Sequence, residues 1–202
     1  MMADGQKIRA LSLSQREIAM AQQVRPQSAQ NTISLKLYLP DCEPQAVKEA
    51  ADQVLDSADI FAASLRHDAL PQGGRAWQMV YGEEKLYACS VWEAYTAEQV
   101  ENQMAALDRI PMDMEKQLYH AVVMPLSGGG VYLYVRFHHV IIDGYGMSLF
   151  VQRVLDVLGG KAAAEFVYAA SDAAEVRRTV MMTDFGGSIS EMRISSLPFS
   201  RK

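Results

Sequence analysis

The stretch that most constrains the fold lies beyond the middle of the chain. Gln117–Met124 and Val131–Phe137 are two runs of strand-forming residues, separated by Pro125–Gly130 with its three consecutive glycines. Two such runs joined by a short glycine-rich connection predict an antiparallel hairpin. Alternation in the second run puts Val131, Leu133, Val135 and Phe137 on one face and Tyr132, Tyr134 and Arg136 on the other. The strand then runs without a break into Phe137-His138-His139-Val140-Ile141-Ile142-Asp143-Gly144. Helical spacing follows over Met147–Leu158, and Gly159-Gly160 stops it.

Adjacent histidines at a strand end point to opposite faces, so one can enter the core while the other faces a cleft. Val140–Ile142 is too apolar for a surface loop, which predicts a buried connection. Burial fixes an imidazole's tautomer, favours its neutral form and excludes water. A neutral imidazole in a dry channel is a good general base for a hydroxyl, thiol or amine attacking an acyl carbonyl. Asp143, four residues after His139, could orient the ring or be tied into an ion pair that shapes the loop. Spacing alone does not separate those roles. Gly144 permits a tight turn where the backbone must reverse. His67 and His120 read as satisfied structural residues. No metal site is expected, because two adjacent histidines and one aspartate lack a third and fourth ligand. A serine-hydrolase reading lacks its Gly-x-Ser-x-Gly elbow.

Elsewhere the periodicities are shorter. Leu11–Val24 is helical, with Ser14 and Glu17 as an apparent capping box and Ile18, Ala21 and Gln22 on one face, and Arg25-Pro26 ends it. Thr32–Leu39 alternates as a half-buried strand, and Pro44–Asp56 is a helix with Val47, Ala51, Val54 and Leu55 as its buried stripe. Asp59–Leu65 and Trp77–Val80 are short strand candidates around a turn with Pro71 and Gly73-Gly74, and Leu86–Val91 is a weak strand. Ala97–Leu107 is a helix with Val100, Met104 and Leu107 at helical intervals. The expected fold is an α/β (α+β) sandwich, a mixed and largely antiparallel sheet covered by helices at 43–57, 97–107 and 146–158. Residues 1–165 form the folded lobe, and 166–202 a poorly packed tail or the start of a further unit.

Composition excludes several classes. Half of the 202 residues are apolar, 21% are charged and the net charge is -5. Such a chain carries a proper core and lacks the basic stripe of a nucleic-acid binder, so no nucleic-acid partner is expected. No membrane partner is expected either, since no segment approaches the roughly 20 apolar residues of a span. No signal peptide is legible, and the cytoplasm is the expected location. Cys42 and Cys89 give neither a CxxC pair nor metal-ligand spacing, and a disulfide between them is not the expectation.

His138–Gly144, read HHVIIDG, resembles the HHxxxDG signature of condensation domains in nonribosomal peptide synthetases, within the superfamily that has the chloramphenicol acetyltransferase-like fold. The surroundings are similar too. Leu11-Ser12-Leu13-Ser14-Gln15 followed by Ile18 is similar to the opening LSxxQxxIW pattern. Ala58-Asp59-Ile60-Phe61 lies where the family has its RHxxLR strand, and Gly74–Val80 looks like the segment after it. Pro111–Leu118 is similar to the stretch before the hairpin, and Tyr145 matches an aromatic common after Asp-Gly. The resemblance spans roughly residues 10–158.

The resemblance implies that His139 is the catalytic residue, as general base or as the group that positions the attacking α-amine of an acceptor aminoacyl thioester. His138 and Asp143 would be architectural, Gly144 would let the backbone pass close to the reacting centre, and Tyr145 and Gly146 would border the substrate channel. No cofactor would be bound directly, because both substrates arrive on the phosphopantetheine arms of peptidyl or acyl carrier protein domains. The implied partners are those carrier domains, the adjoining synthetase domains and a missing C-terminal lobe. The chain is thus expected to be an N-terminal lobe, truncated or split from its second half, with an open and incomplete site. Three positions depart from the pattern: Ala19 replaces the opening Trp, Ala62 replaces an Arg that can pair with the aspartate, and Gly146 stands where Ser is frequent. Without that Arg, Asp143 is expected to find another partner, such as Arg66. Two other readings remain open, a stand-alone acyl-CoA-dependent acyltransferase and a non-catalytic scaffold of the same fold.

Overall fold

The computed structural model describes residues 7–69, 73–83, 85, 87–163 and 192–193. In chain order it comprises β1 (Lys7–Ala10), α1 (Leu13–Val24), β2 (Thr32–Leu39), α2 (Pro44–Asp56), a 3-10 turn (Asp59–Ala62), β3 (Ala63–Ala69), β4 (Arg75–Tyr81) and β5 (Ser90–Val91). There follow α3 (Ala97–Asp108), β6 (Tyr119–Pro125), β7 (Val131–His138), α4 (Gly144–Leu158) and β8 (Met192–Arg193). The strands form two sheets, β1-β4-β3 and β5-β6-β7-β2-β8, where one sheet was expected from the sequence. Pairing is antiparallel except at two short edges, where β5 runs parallel to β6 and β8 parallel to β2. The α/β sandwich and its largely antiparallel character are as expected.

The hairpin is the centre of the larger sheet. Tyr119 pairs with Phe137 and Pro125 with Val131 across β6 and β7, and β2 covers the other edge from Leu39 opposite Val131 to Thr32 opposite His138. All eight residues of β7 are buried, on both faces. One face carries the main core, where Leu37, Leu133 and Phe137 of the sheet meet Val47 and Val54 of α2 and Phe150 and Val154 of α4. Phe137 sits 5.6 Å from the ring of Phe61 and 5.2 Å from that of Phe150. Each such side chain contributes on the order of 1.5–3 kcal/mol through burial. The other face is covered by α3, whose Val100 and Met104 pack on Val122, Met124, Tyr132 and Tyr134. In the hairpin loop Gly129 and Gly130 take φ of 95° and 80°, and a Cβ on Gly130 would lie 2.8 Å from the Tyr38 hydroxyl.

Several local expectations are corrected. The capping box of α1 is Ser12 with Gln15, not Ser14 with Glu17, so the helix begins at Leu13. Asp59–Leu65 is not one strand: Asp59–Ala62 coils into a 3-10 turn and the strand starts at Ala63. Ile60, Phe61, Ala62 and Ala63 are all buried, and a short apolar run of that kind is ambiguous between helix and strand until its packing is known. Leu86 lies outside the described residues, and of the expected strand that followed it only Ser90–Val91 pairs. Both cysteines are free thiols. Burial pushes the Cys89 thiol up to about 12. The sequence reading of 166–202 lies outside the described residues, apart from Met192–Arg193, which pair beside Leu37 and Tyr38 of β2.

Candidate active site

The strand ends at His138, and His139 opens the turn that follows it. His138 lies on the same face of β7 as Tyr134 and Arg136 and is 0% exposed, whereas His139 is half-buried at the strand's exit. The ring of His138 serves the loop: its Nδ1 accepts the backbone N–H of Val140 at 3.2 Å. An accepting Nδ1 makes Nε2 the protonated nitrogen, and that atom is buried without a hydrogen-bond partner. Burial, and then the neighbouring His139, push the His138 pKa down to about 4. Nδ1 of His139 is also buried and unpartnered. The apolar triplet behaves as its composition predicts, with Val140 2% and Ile141 8% exposed and Ile142 packed against the core.

Asp143 plays an architectural part, through a helix cap and not through an ion pair. It is exposed, and as N-cap of α4 its Oδ1 accepts the Gly146 N–H at 2.8 Å. A carboxylate there satisfies an orphan amide and complements the helix dipole. Arg66 is not its partner, because its guanidinium pairs with Asp68. Gly144 is the first helical residue of α4 and is absent from the glycines with positive φ, so no left-handed turn requires it. Gly146 is the constrained glycine of this loop: a Cβ there would lie 2.7 Å from Ile142 Cγ1. Tyr145 is 62% exposed beside it. Ala19 is fully buried, and Ala62 is 7% exposed at the end of the 3-10 turn.

The backbone of the histidine loop is held from α1. His139 N–H donates to Asn31 O at 2.7 Å, and Asn31 Nδ2 donates to Gln22 Oε1 at 3.0 Å. Gln22 is 4% exposed, and its Nε2 points into a ring of carbonyls, the nearest being Ser28 O at 2.9 Å. On the other side of the loop Gln15 Nε2 donates to Val140 O at 3.0 Å. Gln22 entered the sequence reading only as part of a helix face, and Asn31 not at all. The available signal was the spacing of Gln15, Ile18, Ala19 and Gln22, an i, i+3, i+4, i+7 stripe with an amide at each end. A buried amide is costly without partners, which marks such positions as hydrogen-bonding sites.

The remaining histidines are less uniform than expected. His67 stacks on Trp77 with ring centroids 4.7 Å apart. His120 is not satisfied: its Nδ1 is buried without a partner, and burial, then Arg136 opposite it, lower its pKa. A cavity of about 490 Å³ is bounded by Asp56, Asp59, Ala62, Glu83 and Lys85 among others, and none of the histidine-loop residues lines it. Among the described residues no group of three or more His, Cys, Asp or Glu could hold a metal ion, and no helix is long and apolar enough to cross a membrane.

Comparison with known proteins agrees with this fold. Solved starter condensation domains of rhizomide synthetase superpose with a TM-score of 0.70, at 24% identity in one variant and 22% in the parent. The superposition covers 86% of this chain but only 44% and 46% of theirs. The first condensation domain of the calcium-dependent antibiotic synthetase, solved with a substrate analogue, matches at TM-score 0.65 and 17% identity, over 79% of this chain and 40% of that one. The chain thus spans less than half the length of these structures, the extent of one lobe. No curated protein matches it in sequence. The family model of the condensation domain matches residues 5–161, which include both α1 and the histidine loop, and the chain belongs to the condensation domain family.

Proposed function

We propose that this chain is the N-terminal lobe of a condensation domain that forms an amide bond between two carrier-bound thioesters, with His139 as the reacting residue. The observation that carries the reading is the division of labour between the paired histidines. His138 is consumed by the loop, its Nδ1 holding Val140. His139 is half-buried at the strand exit, with its backbone pinned by Asn31 and its Nδ1 turned into the protein. Nε2 of His139 is then the nitrogen left for substrate. The α-amine of the acceptor attacks the carbonyl carbon of the donor thioester; a C–N bond forms and the C–S bond breaks. The proton shed by the amine passes to the imidazole or is held by it, and the phosphopantetheine thiolate leaves and is protonated. A second lobe supplies the opposite wall of the channel, bordered on this side by Tyr145 and Gly146. One of the starter domains above is solved with C8-CoA, which supports an acyl thioester as the donor class.

The test pairs this lobe with its C-terminal counterpart and loaded carrier proteins, and follows amide product by mass spectrometry. His139→Ala is expected to lower product formation at least about 100-fold, the lower end of what a positioned acid–base group supplies. Unchanged product formation would sink the reading. A wild-type pair that forms no product would favour a non-catalytic scaffold.

A further inference from the structure

Gln15 performs two tasks with one amide. Its Oε1 accepts the Ser12 N–H at 3.0 Å and so closes the capping box of α1, together with the Gln15 N–H to Ser12 Oγ contact at 3.2 Å. Its Nε2 donates to Val140 O at 3.0 Å, across 125 residues of sequence. Glutamate serves a capping box as well as glutamine does, since the box needs only an acceptor at that position. The second task needs a donor, and a carboxylate has none at neutral pH. The choice of glutamine here is therefore explained by the Val140 carbonyl and not by the helix. Val140 is 2% exposed, so its carbonyl has little recourse to water if the donor is lost. The carbonyl so held belongs to the Val140–Ile141 peptide, one unit beyond the His139–Val140 bond, while the N–H of His139 is fixed through Asn31 to Gln22 of the same helix.

We propose that Gln15 is a positioning residue: by holding the Val140 carbonyl from α1 it sets the backbone angle from which the His139 ring projects. The significance of that ring rests on the function proposed above; the positioning itself does not.

Three forms of the full 202-residue chain separate the two tasks. Gln15→Glu keeps the capping acceptor and removes the donor to Val140. Ser12→Ala weakens the cap and leaves that donor in place. Helix content is read by circular dichroism. The state of His139 is read by its imidazole NMR signals and by its rate of carbethoxylation with diethyl pyrocarbonate, localised by fragment mass spectrometry. Gln15→Glu is expected to retain wild-type helix content, to move the His139 signals and to raise its carbethoxylation rate about threefold to tenfold, the factor one net hydrogen bond represents. Ser12→Ala is expected to soften the helix with His139 reacting at the wild-type rate. Should Gln15→Glu not fold, Gln15→Met removes the donor without adding charge; because it also loses the capping acceptor, its effect on His139 is expected to exceed that of Ser12→Ala, which weakens the cap alone.

A folded donorless variant whose His139 matches wild type overturns the proposal, as does Ser12→Ala moving His139 as far as Gln15→Glu does. Unfolding of both donorless variants also overturns it, since the two tasks would then be inseparable. Because the readout is His139 itself, a response here combined with full condensation by His139→Ala would refute the functional reading and leave the positioning intact.

Discussion

The two faces of β7 are equally buried and chemically opposite. Toward α2 and α4 the strand presents Val131, Leu133, Val135 and Phe137, which pack against other apolar groups. Toward α3 it presents Tyr132, Tyr134, Arg136 and His138. There Tyr134 OH donates to Asp108 Oδ1 at 2.5 Å, and Arg136, 3% exposed, donates from Nη2 to Ile110 O. That polar face also holds buried atoms without a hydrogen bond, His138 Nε2, His120 Nδ1 and Arg136 Nε, the last 4.0 Å from Asp108 Oδ1. The apolar face needs only shape, whereas the polar face needs a partner for each atom. Where the strand ends, the polar series delivers His138 to brace the loop and the next residue, His139, emerges at its edge. The comparison suggests that stability resides mainly on one face and that the environment of the histidines is set by the other.

The largest expected effect tests the apolar side. Phe137→Ala, at 0% exposure amid Phe61, Tyr119 and Phe150, should cost about 3–5 kcal/mol in chemical denaturation. A loss below about 1 kcal/mol, well under the usual cost of emptying such a site, would break the assignment of stability to that face.

Acid should act through the polar side. The folded pKa of His138 lies near 4, below its ordinary 6.5, so the unfolded chain binds the extra proton first. Stability from the neutral ring is then full above the unfolded value and falls as pH drops from 6.5 toward 4, by at most roughly 1.4 kcal/mol per pH unit. His120, also depressed by burial, adds in the same direction. Denaturation measured across that window should show a shallower slope in His138→Leu than in wild type, even though the variant is less stable at pH 7. Equal slopes would remove His138 from the polar account.

The smallest effect concerns the loop where the faces meet. Glycine to alanine inside a helix usually stabilises by about 1 kcal/mol. At Gly146 the sign should reverse, because the new Cβ falls 2.7 Å from Ile142 Cγ1. Gly146→Ala should cost about 1–3 kcal/mol. In Ile142→Ala, which removes the obstructing atom, the same change should cost much less. A double-mutant cycle in urea measures this, and additive costs would mean that the loop yields without resistance.

Long periodic elements were legible in the sequence. Thr32–Leu39 and Pro44–Asp56 have the bounds their patterns predict, because a buried stripe of period two or of helical spacing over eight or more residues admits few alternatives. The hairpin, the helix after it and the burial of Val140–Ile142 were legible for the same reason. The 3-10 turn at Asp59–Ala62 was not, since the short apolar run from Ile60 to Ala63 specifies burial without specifying a period. Its shape follows from the packing of Phe61 against Tyr119, Phe137 and Phe150.

At the site, the chemistry of individual residues was visible and their partners were not. The sequence by itself determined that the paired histidines stand at the end of a buried strand with an apolar connection behind them, because period-two alternation of apolar residues is a local pattern. Only the tertiary structure decided that the His139 N–H meets Asn31 O and that Gln15 of α1 reaches the Val140 carbonyl. Two capping patterns two residues apart are equivalent within the helix, and the contact between Gln15 and Val140 distinguishes them. Pattern along a chain fixes the direction of a side chain, while its hydrogen-bond partner depends on which distant backbone the fold brings within about 3 Å.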